Sequence, residues 1–306
     1  MKKALIFGAG GFVGGYLTEE LQSHGYDVYG CGHFTKPEDR RLTDAYVCDI
    51  LNQDQVKTVI YRTRPDCIVN LAGISSVGLS WRIPQTTVNV NVIGALNILE
   101  TVSKTDLDPR ILFIGSAEEY AAQTRPIRET DPLDANNPYG ISKVMLERYC
   151  ELYRSSRHMR VYYVRAFNHT GVGQADSFVI PSWCRQVAEI SASGKPGVLR
   201  VGNLSVERDF CDVRDIVRAY RLVLESDDCS EVYNISSGEA IALQKMLEFI
   251  TSLSTQEIEI SVQENLIRPA ENPYICGDHG KITEKLGWKP EIDLFETIRG
   301  MYISLL

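Results

Sequence analysis

The apolar positions of this chain fall into short unbroken runs, separated by longer stretches in which apolar and polar residues recur with helical spacing. Ala4-Leu5-Ile6-Phe7 is the first run, and Val28 to Gly30, Ala45 to Cys48, Cys67 to Leu71 and Ile111 to Ile114 repeat it. Amphipathic stretches over Val13 to Ser23 and Thr86 to Ser103 lie between them. A strand that is apolar at every position is buried on both faces, as in a parallel sheet covered by crossover helices. The pattern therefore predicts a doubly wound α/β fold. After about residue 165 the alternation breaks down, and Gly, Pro and aromatic residues gather at Phe167 to Gln174 and at Arg268 to Gly277. Val213 to Glu225 still reads as helix and Val232 to Ile235 as strand. The expected organisation is a parallel-sheet domain over residues 1–165, with return segments near 212–236, and a smaller interleaved α/β lobe over 166–306.

Composition narrows the possibilities. Hydrophobic residues make up 44% and charged residues 24% of the 306, an ordinary globular balance. A chain of this length buries about three quarters of its unfolded surface, so it needs no staple. The 32 Lys+Arg against 40 Asp+Glu give a net charge of -8, which argues against nucleic acid or an anionic membrane as partner. Local arginines can still hold a phosphate. The 8 cysteines include no CxxC pair, so neither a metal site nor a disulfide framework is expected. They read as reduced thiols of a cytoplasmic protein. No apolar stretch approaches ~18 residues, and Met1-Lys2-Lys3 opens no signal peptide.

Candidate chemistry begins at Gly8-Ala9-Gly10-Gly11-Phe12-Val13-Gly14, between the first predicted strand and its helix. Glycines there permit a tight turn and close approach to a pyrophosphate, which the helix N-terminus attracts. That makes the first domain a dinucleotide-binding Rossmann domain. NAD-selective sites place an acid at the end of the second strand. Here Gly30-Cys31-Gly32-His33 carries none, and His33, Lys36, Arg40 and Arg41 follow. This basic run suits a 2′-phosphate, so NADP(H) is the expected cofactor, with NAD(H) open. Asp49, followed by Ile50, could hold the adenine amino group or cap a helix.

Tyr139 and Lys143 stand four residues apart just after Pro138, on one face of a predicted helix. A free phenol titrates near ~10, and a neighbouring ammonium is expected to lower that value. The pair then serves as acid or base for a carbonyl/alcohol interconversion beside a nicotinamide. Ser116 ends the apolar strand over Ile111 to Ile114, at the edge where open α/β sheets hold ligands, and can donate to a carbonyl oxygen.

Taken together, Gly8-x-x-Gly11-x-x-Gly14, Asp49, Leu71-Ala72-Gly73, Asn91-x-x-Gly94, Ser116 and Pro138-Tyr139-Gly140-x-Ser142-Lys143 resemble the extended short-chain dehydrogenases/reductases that modify nucleotide sugars. More narrowly, Arg165 to Gly171, Val201 to Leu204, Arg208-Asp209-Phe210, Arg268 to Glu271 and Ser116 to Tyr120 resemble the GDP-mannose branch of that family. The resemblance implies catalysis by Ser116, Tyr139 and Lys143, with Glu118 at the position of the dehydratases' elimination carboxylate. It implies a cofactor site of Gly8, Gly11, Phe12, Val13, Gly14, His33, Asp49, Ile50, Leu71, Ala72, Gly73, Tyr139 and Lys143. The implied substrate side is Ser75, Asn168, Val179, Asn203, Arg208, Arg268 and Glu271, with the arginines on phosphate oxygens. A homodimer through two helices, one carrying Tyr139, is also implied. The expected activity is NADPH-dependent reduction of GDP-4-keto-6-deoxy-D-mannose, with GDP-D-rhamnose the expected product. A GDP-mannose 4,6-dehydratase, a UDP- or dTDP-sugar epimerase, and a non-catalytic dinucleotide-binding regulator are the alternatives.

Overall fold

The computed structural model describes residues 1–266 and 272–306, so Arg268 and Glu271 lie outside the described residues. The strands are β1 (Lys2–Phe7), β2 (Tyr26–Gly32), β3 (Asp44–Val47), β4 (Cys67–Asn70), β5 (Arg110–Ser116), β6 (Val161–Ala166) and β7 (Asn168–Thr170). After them come β8 (Gly197–Val201), β9 (Glu207–Asp212), β10 (Val232–Ile235), β11 (Ala240–Ala242), β12 (Ile258–Val262) and β13 (Tyr274–Ile275). Seven of them form one sheet in the order β10-β6-β5-β4-β1-β2-β3, every pair parallel. This is the doubly wound arrangement expected from the apolar runs.

The helices that frame the site are α1 (Phe12–Ser23), α2 (Gln53–Thr63), α3 (Val77–Arg82), α4 (Pro84–Val88), α5 (Gly94–Val102), α6 (Pro138–Arg157), α7 (Val179–Ser193) and α8 (Val213–Glu225). Successive residues of β1 serve opposite layers. Ala4 and Ile6 pack with Leu17 and Leu21 of α1 and with Ile216, Tyr220 and Val223 of α8. Leu5 and Phe7 face Val56 and Ile60 of α2, Ile98 and Leu99 of α5 and Leu146 of α6. Each Val, Leu, Ile and Phe among them contributes about 1.5–3 kcal/mol by leaving water.

A smaller sheet of β11, β9 and β13, with β7 paired to β9, and the two-stranded pair of β12 and β8 lie beyond it. Trp183, Cys184, Leu199, Val201, Met246 and Ile298 form their separate core. All the cysteines are free, and all but Cys229 are buried.

The continuous helix expected over Thr86 to Ser103 is interrupted. A π turn at Asn89–Ile93 separates α4 from α5. Such turns are rare, and here the extra residue accompanies a side chain with work elsewhere. Asn91 leaves the helix surface to bond the Ile74 backbone, accepting its N–H at 2.7 Å and donating to its carbonyl at 3.0 Å. Asn91 also donates to Ser142 Oγ at 2.9 Å, tying the loop after β4 to α6. Gly94 is required just beyond, since a Cβ there would lie 2.7 Å from Ile50 Cγ2.

Candidate active site

β1 ends at Phe7 and the chain turns through Gly8, whose φ of +84° lies in the left-handed region. A Cβ at Gly8 would sit 2.8 Å from the Ala72 nitrogen, so only glycine lets the loop touch Leu71-Ala72. Gly11 caps α1 with no side-chain hydrogen bond, which leaves the first-turn N–H groups around Phe12 and Val13 suited to a pyrophosphate. Gly14 presses on the loop itself, since its Cβ would stand 2.3 Å from the Ala9 carbonyl oxygen. The obstacle is backbone and cannot swing away. Gly14→Val is therefore expected to lower stability by about 1–3 kcal/mol and to weaken dinucleotide binding sharply, read by thermal melting and NADPH fluorescence titration. Unchanged binding would detach the loop from the cofactor.

At the end of β2, His33 is exposed and packs on Phe34 with ring centroids 3.8 Å apart, its Nε2 standing 3.7 Å from Asp49 Oδ1. The basic run after it is not all free. Arg41 is clasped by Asp39 at 2.7 Å and Glu19 at 2.5 Å, so its guanidinium is committed within the chain. Asp49 accepts from the Leu51 N–H at 2.9 Å, while the cap of α2 is Asn52. Ile50 is buried and its carbonyl accepts from Asn97 at 2.9 Å. Leu71 and Ala72 lie against Gly8, and Gly73 is closed against Asn91 Oδ1.

The chemistry-bearing side chains meet at the carboxyl end of β5. Asn137 caps α6 by accepting from the Gly140 N–H at 2.9 Å, and Pro138 supplies the first helical residue. A Cβ on Gly140 would lie 2.2 Å from the Glu118 carbonyl oxygen, so glycine lets the first turn of α6 settle on the loop after β5. That contact brings Tyr139 against Ser116. Both are buried, and the Ser116 hydroxyl favours the ionised form of the phenol by hydrogen bonding. Lys143 donates to the Ile114 carbonyl at 2.7 Å, with its nitrogen 5.7 Å from the Tyr139 ring centre.

The expectation that Lys143 lowers the phenol is not met in this arrangement. Burial dominates Tyr139 and pushes it above its ordinary value, with the Ser116 bond opposing. Burial also brings the Lys143 ammonium down to about 8. Glu118 is half-buried beside Ser116, and its Oε2 accepts from Asn137 Nδ2 at 2.8 Å.

The residues expected on the substrate side are spread over the second sheet and its loops. β7 follows β6 directly, and Ala166 at the end of β6 pairs with Ser116, so Asn168 lies two residues beyond the catalytic strand end. Asn168 donates to the Asp209 carbonyl at 3.3 Å and is paired in register with Phe210, which places Arg208 on the neighbouring strand. Arg208 is largely buried and donates to the Glu207 carbonyl at 2.8 Å. Val179 opens α7, Ser75 is exposed in the loop before α3, and Asn203 accepts from Ser205 in the loop after β8.

Two contributors escaped the sequence reading. Asn137 both caps α6 and holds Glu118, and its signal was an Asn standing directly before a proline. Glu119 lies wholly inside the protein beneath Ser116. The Ser-x-x-Glu spacing of a capping box was its available signal.

The family profile described as GDP-mannose 4,6 dehydratase matches residues 5–301. The chain belongs to that family. Against the GDP-6-deoxy-D-mannose reductase of Pseudomonas aeruginosa it is 33% identical, over 83% of this chain and 84% of that one. Identity to the GDP-mannose 4,6-dehydratase of Yersinia enterocolitica is 28%, over 97% and 91%. The structure of RMD from Pseudomonas aeruginosa complexed with NADPH matches with a TM-score of 0.88 at 29% identity, covering 100% of this chain and 99% of that one. The family likeness and the doubly wound fold drawn from the motifs are thus both borne out. A reductase and a dehydratase are both similar to this chain, so membership leaves the reaction to be argued from the site. Among the described residues no helix is long and apolar enough to cross a membrane.

Proposed function

We propose that this protein reduces the C4 ketone of GDP-4-keto-6-deoxy-D-mannose to a GDP-6-deoxyhexose, GDP-D-rhamnose, with NADPH as reductant. The convergence of Ser116, Tyr139 and Lys143 at the end of β5 carries the reading, and the 33% identity to a GDP-6-deoxy-D-mannose reductase supports it. Bound NADPH supplies the hydride that reaches C4. Ser116 Oγ already accepts from the Glu118 N–H at 3.2 Å, so its own proton is the one to turn toward the keto oxygen. Tyr139 gives its phenolic proton to that oxygen as the negative charge develops. A phenol held above its usual range is fully protonated at neutral pH, the state that a reductase's acid needs. Lys143 steadies the phenolate left behind and holds the nicotinamide ribose.

Gly8, Gly11 to Gly14, His33, Asp49, Ile50 and Leu71 to Gly73 form the cofactor side in this reading. Ser75, Asn168, Val179, Asn203 and Arg208 form the sugar-nucleotide side. A second copy of the chain pairs across Ile93, Ile141, Met145 and Leu152, apolar residues that the single chain leaves 42–52% exposed.

The test is direct. Purified protein incubated with NADPH and the keto-sugar nucleotide is expected to oxidise the cofactor and yield a GDP-deoxyhexose. Absence of oxidation, with GDP-mannose consumed instead, would replace this reading by the dehydratase. Glu118 favours that second reading, being a carboxylate beside Ser116 that Asn137 holds in place. A pH profile adds to the test. If the Lys143 ammonium is needed, kcat/KM is expected to fall with an alkaline limb near pH 8, where the buried lysine loses its proton. A profile flat to pH 10, where ordinary lysines titrate (~10.4), would take the lysine charge out of the reaction.

A further inference from the structure

Glu119 has no part in the chemistry above, yet it is a fully enclosed carboxyl directly beneath it. Its Oε1 accepts from the Ser116 N–H at 2.6 Å, and the Tyr163 hydroxyl oxygen stands 3.1 Å away. Its Oε2 is buried and receives no donor among the described residues. Ser116 and Glu119 close a capping box around the turn at Ala117–Glu119, so the carboxyl is one half of the device that sets the serine's backbone. Tyr163 continues the connection by donating to the Lys143 carbonyl at 2.9 Å. Gly115 makes the arrangement possible, because a Cβ there would stand 2.3 Å from Glu119 Oε1 and 2.6 Å from the Tyr163 oxygen.

The groups around Glu119 define its charge. Lys143, Glu147 and Cys150 face it from α6, Tyr163 and Arg165 from β6, with Tyr120 beside it in sequence and Tyr139 above. Arg165 gives both forks to Glu147, at 2.9 and 2.5 Å, and Lys143 turns to a carbonyl. Both nearby cations are thus committed elsewhere, Arg165 to Glu147 and Lys143 to the Ile114 carbonyl, and an ionised Glu119 would face a second carboxylate with no donor on Oε2 among the described residues. Burial of a carboxylate oxygen that receives no donor, beside a second carboxylate, favours the protonated form of Glu119.

We propose that Glu119 is an un-ionised carboxylic acid that positions Ser116, its Oε1 holding the serine N–H and its Oε2–H resting on the Glu147 carboxylate. The acid thereby joins the end of β5 to the helix that carries Tyr139 and Lys143. Burial and then the Glu147 charge push Glu119 well above the usual carboxylate range, in agreement with the geometry. This is a positioning role, and it rests on the catalytic set proposed above.

Three measurements test it. Glu119→Gln reproduces the neutral acid, with an amide oxygen for Ser116 and an N–H for Glu147. It is expected to keep the wild-type kcat and pH profile. Glu119→Leu removes both links and is expected to lower kcat about 10- to 100-fold at unchanged KM for NADPH, as misplacement of a reacting group does. Infrared spectroscopy of the protein without substrate or cofactor is expected to show an un-ionised carboxyl stretch at neutral pH that Glu119→Gln abolishes. A Gln variant as impaired as the Leu variant, or with a shifted alkaline limb, or a wild-type spectrum lacking that band, overturns the proposal. If Glu119→Leu does not fold, the Gln variant and the spectrum decide. If the wild type turns over no keto-sugar, the functional reading fails while the spectrum still answers for Glu119.

Discussion

Tyr139→Phe is expected to bind NADPH and melt as the wild-type protein does, and to turn over about 10²–10⁴-fold more slowly. The substitution deletes one oxygen and leaves the ring in place. The first turn of α6 rests on Asn137, Pro138 and the close approach at Gly140, none of which involves the hydroxyl. Only the hydrogen bond with Ser116 is lost, a matter of about 1 kcal/mol between two neighbours that can reorient. Cofactor contacts from the glycine loop lie on another element altogether. NADPH oxidation at saturating keto-sugar, set beside a melting curve and a binding titration, separates the two effects. A variant that keeps its kcat would show that the proton comes from another donor.

Arg165→Met is expected to produce the largest loss of stability, about 3–5 kcal/mol by urea unfolding at neutral pH. The guanidinium is almost wholly enclosed, holds both oxygens of Glu147, and donates from Nη1 to the Tyr120 hydroxyl at 2.6 Å and the Glu129 carbonyl at 3.1 Å. Truncation strands the Glu147 charge in the interior without the guanidinium that holds both of its oxygens. The double variant Arg165→Met/Glu147→Gln removes that stranded charge and is expected to recover much of the loss. A deficit below about 1 kcal/mol, the worth of a surface pair, would mean that water reaches the site. Arg165 belongs to the run ending at Gly171 that carries the family likeness, and its work is in the interior, beneath the cleft.

Much of the architecture was legible because the apolar runs of β1, β4 and β5 have no polar position to place outward, so only a sheet covered on both faces accommodates them. The glycine loop was legible for a similar reason: Gly8 and Gly14 meet backbone, and no other residue fits. The small strands of the second sheet were not. β7, β11 and β13 are two or three residues long, too short to show any period, and exist through their pairing with β9. The π turn was hidden because its cause is a contact between Asn91 and Ile74, far apart in sequence. At the site, the Ser116, Tyr139 and Lys143 spacing could be read directly. What escaped was electrostatic. Arg41 looked available for a 2′-phosphate until Asp39 and Glu19 were seen to hold it, and the fall in the Tyr139 value expected from Lys143 was outweighed by burial.

Asp209 has a mechanical consequence. It sits on β9 and gathers Ser237 N–H and Oγ on one oxygen, each at 2.7 Å, with the Gly238 and Gly277 N–H groups on the other at 3.0 Å. Three stretches of chain are thereby soldered where the large sheet gives way to the small one. Such a joint does not flex by degrees, because parting either loop from Asp209 leaves a buried carboxylate short of donors. Deuterium should therefore enter the amides of Ser237, Gly238 and Gly277 among the last in the molecule, and any breathing that admits a sugar nucleotide has to come from the loops around this seam, with the seam itself holding still.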